Sequence, residues 1–132
     1  MDAGYSGTPL VRKLGIKPDS RVMICPGIDD IEEHLEPFIK AESSLDVVIA
    51  PVTTVDELVL ALDLKNKIKL NGAIWVCWPN RTSKIPSELT EDTLREYGLP
   101  LGLVDNKVCA IDQDWSGLRF VWRKELRANL PQ

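Results

Sequence analysis

The strongest constraint on this chain lies between Leu45 and Trp78. An apolar run, Leu45-Asp46-Val47-Val48-Ile49-Ala50, is closed by Pro51; a second, Ala73-Ile74-Trp75-Val76-Cys77-Trp78, is closed by Pro79. Between them Val55, Leu58, Val59 and Leu62 recur at helical spacing. Near-continuous apolar strands are those buried on both faces, as in parallel sheets covered by helices. Parallel neighbours need a crossover long enough to hold a helix, and such crossovers are right-handed almost without exception. The pattern predicts a βαβ unit and the α/β class.

Punctuation places the other elements. Thr8-Pro9 reads as N-cap and first helical position, with Leu10 and Leu14 as an apolar pair and Gly15 as the stop. Lys17-Pro18-Asp19-Ser20 is a turn before a first strand, Arg21 to Cys25. Asp29 can cap a following helix carrying Ile31 and Leu35, with Glu32 three residues on. Thr54 and Glu57 form a capping box for the central helix, which continues to about Leu64. Asn71-Gly72 reads as a turn. Thr90 caps a helix in which Leu94 and Tyr97 face inward and Gly98 with Pro100 marks the end. Val104 to Ile111 and Leu118 to Arg123 read as strands joined by a hairpin loop, Asp112 to Gly117. The expectation is one Rossmann-like domain over 1–132, with a short helix within 1–16 and a polar tail at 124–132.

Several function classes lose support. A net charge of −4 argues against general nucleic-acid binding, which calls for a basic excess. No apolar run approaches the ~20 residues of a membrane span. The first residues lack the basic and apolar regions of a secretory leader, so a cytoplasmic location is expected. Cys25, Cys77 and Cys109 all lie in apolar strand-like runs, and an odd count suits a reducing compartment. With no Cys-x-x-Cys pair and His34 as the one histidine, no metal is expected. His34 reads as a plain surface residue, and no serine sits in a G-x-S-x-G setting.

The element order, and segments such as Lys17-Pro18-Asp19-Ser20-Arg21-Val22, Leu45-Asp46-Val47-Val48-Ile49 and Leu70-Asn71-Gly72-Ala73-Ile74-Trp75-Val76, resemble the Rossmann-like methyltransferase fold. The resemblance implies a three-layer sheet of about five strands, mostly parallel with a C-terminal antiparallel hairpin. It also implies the spatial order first strand, Leu45 strand, Ala73 strand, Leu118 strand, Val104 strand. A narrower set of motifs resembles a family of small bacterial proteins of unknown function. It comprises Gly4-Tyr5-Ser6-Gly7-Thr8-Pro9-Leu10, Lys13-Leu14-Gly15-Ile16-Lys17-Pro18, Leu103 through Asp112, and Trp115-Ser116-Gly117-Leu118-Arg119. That family brings no activity with it.

Methyltransferases of this fold bind S-adenosylmethionine at a Gly-rich turn after the first strand, where backbone amides approach the ligand. The corresponding turn here, Cys25-Pro26-Gly27-Ile28-Asp29, has one glycine, and Pro26 removes a donor. Between Cys25 and Leu45 one helix consumes most of the chain, so a strand–helix unit is missing along with the acid that would hold the ribose; Glu42 could be a displaced remnant. No cofactor is therefore expected.

Ligands of open parallel sheets gather at the carboxyl ends of the strands. That rim would carry Gly27, Thr53, Asn80, Arg81, Asp112 and Trp115. Arg81 could take an anion and Trp115 could stack on a ring; alternatively Asn80 and Arg81 form a solvated loop and Trp115 pins the hairpin. Asp112 and Asp114 could act as an acid–base pair or bind a hard cation, or bond nearby amides. Asp105 and Lys107 fall on one strand face at period 2, as an ion pair or base, or as charges guarding an edge strand. Tyr5, Asp105, Lys107 and Arg119 are the structural or interaction candidates. Trp75, Trp78 and Trp122 read as core residues, each needing a partner for its indole N–H where buried.

Three functions are weighed: a non-catalytic binding or interaction module with an unidentified protein partner; a binder of, or enzyme on, a small anionic or nucleotide-like ligand at the rim; and a working methyltransferase. The first is preferred.

Overall fold

The computed structural model describes residues 9–29, 31–32 and 41–127. Among them, β1 (Val22–Ile24), β2 (Leu45–Pro51), β3 (Ile68–Pro79), β4 (Leu103–Ala110) and β5 (Trp115–Trp122) form one sheet in the order β1-β2-β3-β5-β4. The pairs β1–β2 and β2–β3 are parallel, while β5 is antiparallel to both β3 and β4. All strands but β5 therefore share one direction, in the predicted spatial order. The helices are α1 (Leu10–Lys13), α2 (Val55–Asp63), α3 (Glu91–Gly98) and α4 (Lys124–Arg127).

The apolar runs explain the layers. Successive strand residues point to opposite faces. Val48, Ile74 and Val76 join Leu58 and Leu62 of α2 and Leu94 of α3 on one face. Val47, Ile49, Trp75 and Cys77 join Leu10 and Leu14 of α1, with Ile28 and Ile31, on the other. Both faces of β2 and β3 are thus covered, giving an α/β three-layer fold. α2 is capped as expected, with the Glu57 N–H donating to Thr54 Oγ1 at 3.1 Å.

The structure differs from the sequence reading at several boundaries. α1 starts at Leu10 with Pro9 in the cap position, and Thr8 lies outside the described residues. Ile28 O accepts from the Ile31 and Glu32 N–H groups, so the cap falls one residue before Asp29. Leu35 and His34 lie outside the described residues. Val59 is 48% and Tyr97 39% exposed, because each stripe is narrower than its apolar spacing suggests. Gly98 is still helical; its missing side chain leaves room for Phe120, whose Cε1 would lie 2.5 Å from an added Cβ. The left-handed stop is Gly102 (φ 91°), after a further 3-10 turn. No turn forms at Asn71-Gly72. Both residues lie inside β3, where the register against β2 slips and an added Cβ on Gly72 would meet Leu45 O at 2.5 Å.

The C-terminal hairpin loop is also shorter than expected. Trp115, Ser116 and Gly117 are already strand, paired with Pro79, Trp78 and Cys77. Asp105 and Lys107 do not share a face. The β4–β5 register shifts between them, so Asp105 pairs with Phe120 and Lys107 with Arg119. The extra residue of a bulge inverts the alternation. The start of the tail, Lys124–Arg127, is a helical turn.

Candidate functional site

The turn after β1 is built closed. The Cys25 N–H donates to Ile49 O at 2.8 Å, and Pro26 has no N–H. The Gly27 N–H donates to Glu32 Oε2 at 3.3 Å. Gly27 has φ 142°, and an added Cβ would stand 3.0 Å from Pro51 Cβ, so the turn lies directly on the end of β2. Ile28 is buried in the core. Burial pushes the Cys25 thiol above its usual range. On the outer edge of β1, Val22 O accepts from the Ala41 N–H at 2.8 Å. Glu42 is exposed.

An open groove of about 1030 Å³ lies instead at the carboxyl end of β3. Its floor is the cross-strand pair Trp78 and Ser116. One wall is the loop from Asn80 to Ser83, and the other runs from Ser87 to Asp92, into the first turn of α3. Asn80 ties the loop down. Its side-chain amide donates to Gln113 O at 3.0 Å and its N–H to Asp114 O at 2.9 Å, while its Oδ1 accepts from the Thr82 N–H and hydroxyl. Ser87 Oγ donates to Thr53 O at 2.8 Å, anchoring the far wall to the end of β2. A smaller hollow of about 410 Å³ lies by Pro9, Arg12 and Gly15. Neither hollow has Pro26 or Gly27 in its lining.

The other rim residues are dispersed. Arg81 lines the groove, is exposed, and makes no hydrogen bond or ion pair among the described residues. The Thr53 N–H and hydroxyl donate to Glu57 Oε1 at 2.7 and 3.0 Å. These bonds hold the Glu57 carboxyl below its ordinary range. Asp112 Oδ1 accepts from the N–H groups of Asp114 and Trp115, each at 2.8 Å, and Trp115 packs in the core. Asp105 accepts from Arg95 Nε at 3.1 Å. Lys107 Nζ donates to Lys13 O at 3.1 Å, docking α1 onto β4. Arg119 donates to Asn106 Oδ1 at 3.1 Å, and burial lowers its pKa. Tyr5 lies outside the described residues. The structure thus brings Asn80 and Arg81 together with Ser116, with Thr53 adjoining, and leaves Gly27, Asp112 and Trp115 outside the groove.

Trp78 is the groove residue that the sequence placed in the core. It is only 6% exposed, and its indole N–H opens to solvent rather than to a protein acceptor among the described residues. Trp75, by contrast, donates to Leu14 O at 3.0 Å. The signal in the sequence was position: Trp78 is the last apolar residue before Pro79, on the rim where strands end.

Among solved structures, the fibrillarin pre-rRNA processing protein of Methanococcus jannaschii is similar at a TM-score of 0.56 and 12% identity, over 80% of this chain and 67% of that one. A TehB-like SAM-dependent methyltransferase from Corynebacterium glutamicum aligns at a TM-score of 0.48 and 9% identity, over 77% of this chain and 67% of that one. No family model matches the sequence, and no curated protein does. At such identity the likeness concerns the fold, which is Rossmann-like and methyltransferase-like. The turn after β1 does not fit the cofactor of that fold. Its Cys25 and Gly27 amides are engaged, and the open side of its glycine is filled by Pro51. Among the described residues, no helix is long and apolar enough to cross a membrane.

Proposed function

We propose that this chain is a non-catalytic, methyltransferase-like binding module. The observation that supports it most is the close approach of Gly27 to Pro51: an added Cβ would stand 3.0 Å from Pro51 Cβ, so that side of the turn is packed on the end of β2. One further observation agrees: the Cys25 and Gly27 amides are spent within the protein. The motifs quoted above are the ground on which kinship with small bacterial proteins of unknown function is proposed, and a cytoplasmic location belongs to the same proposal.

Calorimetric and thermal-shift titration with S-adenosylmethionine tests the reading. A ligand at 100 times its dissociation constant adds ~2.7 kcal/mol, which moves the melting point of a domain this size by several degrees. The expected result is no heat and no shift. Saturable binding of S-adenosylmethionine would overturn the proposal.

A further inference from the structure

The face that β4 shares with α1 gathers cations without carboxylates. Lys107 lies opposite Arg119 across the β4–β5 pair. Like charges directly opposite one another are destabilising unless an anion joins them. Each is held in place by a neutral oxygen. Lys107 Nζ donates to Lys13 O at 3.1 Å, and Arg119 Nη1 reaches across to Asn106 Oδ1 on β4 at 3.1 Å. Arg127 Nε likewise donates to Trp122 O at 3.0 Å. Burial lowers the Arg119 pKa, and the charge of Arg127 lowers it further. Among the described residues no carboxylate lies within ion-pair distance of Lys107, Arg119 or Arg127, whereas Lys69 and Arg95 are both matched. The chain has 20 acidic residues against 16 basic ones, yet none of the described ones is spent here.

The same stretch is an open edge. β4 ends the sheet, and among the described residues no strand pairs with its outer side. Asn106, Lys107 and Val108 are exposed, Val108 at 52%. Lys107 and Val108 pair with Arg119 and Leu118, so they point to opposite faces. One lysine suffices to guard an edge against stray pairing. A second cation drawn to the same spot from the next strand, beside an exposed valine, selects for opposite charge instead. We propose that β4 takes up an extended acidic segment of a partner protein as an added strand. The segment's backbone pairs with the outer side of β4, its carboxylates stand over Lys107 and Arg119, and an apolar residue between them covers Val108. Cations already positioned by neutral acceptors need little reordering when the carboxylates arrive. A second copy of β4 does not supply them, because its one acid, Asp105, is held by Arg95 at 3.1 Å. The inference names a partner class for the chain as a binding module, and rests on that reading.

Two blocked peptides test it, one alternating glutamate with valine and one alternating lysine with valine. Each is titrated into the ¹⁵N-labelled protein while amide exchange is read along β4. The glutamate peptide is expected to bind saturably and to slow exchange at the outward amides between Asn106 and Val108; the lysine peptide is expected to do neither. Arg119→Gln is expected to weaken binding about tenfold, the loss typical of a charge-assisted bond. Lys107→Glu is expected to turn the preference towards the lysine peptide, which a purely structural role would not do. Methylating alternate backbone nitrogens of the glutamate peptide needs no protein variant, and is expected to abolish binding. No saturable response to the glutamate peptide, equal binding of its methylated form, or unchanged affinity in Arg119→Gln would overturn the inference. Tighter binding of single-stranded oligouridylate would overturn it in favour of a nucleic acid, and protection of β4 that grows with protein concentration alone would do so in favour of a second copy. S-adenosylmethionine is titrated in parallel: saturable binding of it refutes the non-catalytic reading whatever the peptides do, and a failed peptide titration refutes the β4 edge alone.

Discussion

Trp75 and Trp78 lie three residues apart on β3 and go to opposite faces, with opposite outcomes. The Trp75 indole donates to Leu14 O, a carbonyl at the end of α1, and so ties the first helix to the middle of the sheet. Trp75→Phe removes that donor and leaves a void in a fully buried site. It is expected to cost about 2–4 kcal/mol, read from urea unfolding. Asp46 makes a different kind of tie. Burial raises its pKa, but the Arg21 N–H at 2.8 Å and Lys69 at 3.0 Å more than offset this, and the carboxyl sits below its ordinary value. A depressed folded pKa means the stabilisation is complete above the unfolded value of ~3.9 and is lost as pH falls through the folded one. Melting temperature should therefore fall on acidification below about pH 4, and Asp46→Asn should flatten part of that decline.

Among the elements, α2 was the most legible. Its cap, first-turn acids and buried Leu58 and Leu62 are local properties, and Thr54 caps it as read. Thr54→Ala should cost about 1 kcal/mol in chemical denaturation, because the Glu57 N–H loses its acceptor. The capping box read at Thr54 and Glu57 closes on one side only. The Glu57 carboxylate turns to the Thr53 N–H and hydroxyl, a residue before the cap, where it also braces the end of β2. β4 was legible in existence but not in phase. Period 2 assigned Asp105 and Lys107 to one face, and the bulge sends Asp105 to Arg95 of α3 and Lys107 to the carbonyl of Lys13 in α1. A bulge answers to the partner strand, so the sequence of β4 alone has no mark of it. The same applies to β3, whose slip beside Leu45 was read as an Asn-Gly turn.

At the scale of the whole molecule, Cys77 is a sensor of global unfolding. It is fully buried beneath α1, and burial drives its thiol far above the usual range, with Cys109, Asp112 and Cys25 acting in the same direction. A thiol reagent should modify Cys77 only at the rate of complete opening, while half-buried Cys25 and Cys109 react earlier; Cys77 labelling as fast as theirs in the native protein would contradict this packing. The class of fold followed from the sequence, because runs buried on both faces leave few arrangements other than a helix-covered parallel sheet; the strand order followed from the resemblance to the methyltransferase fold. The defective turn after β1 was also visible there, as a missing glycine and an added proline. Tertiary structure alone decided that Pro51 packs on that turn, that Asn80 is spent on holding the hairpin, and that Trp78 lines the groove at the end of β3. Each depends on contacts between residues far apart in the chain, whose distances local patterns do not encode.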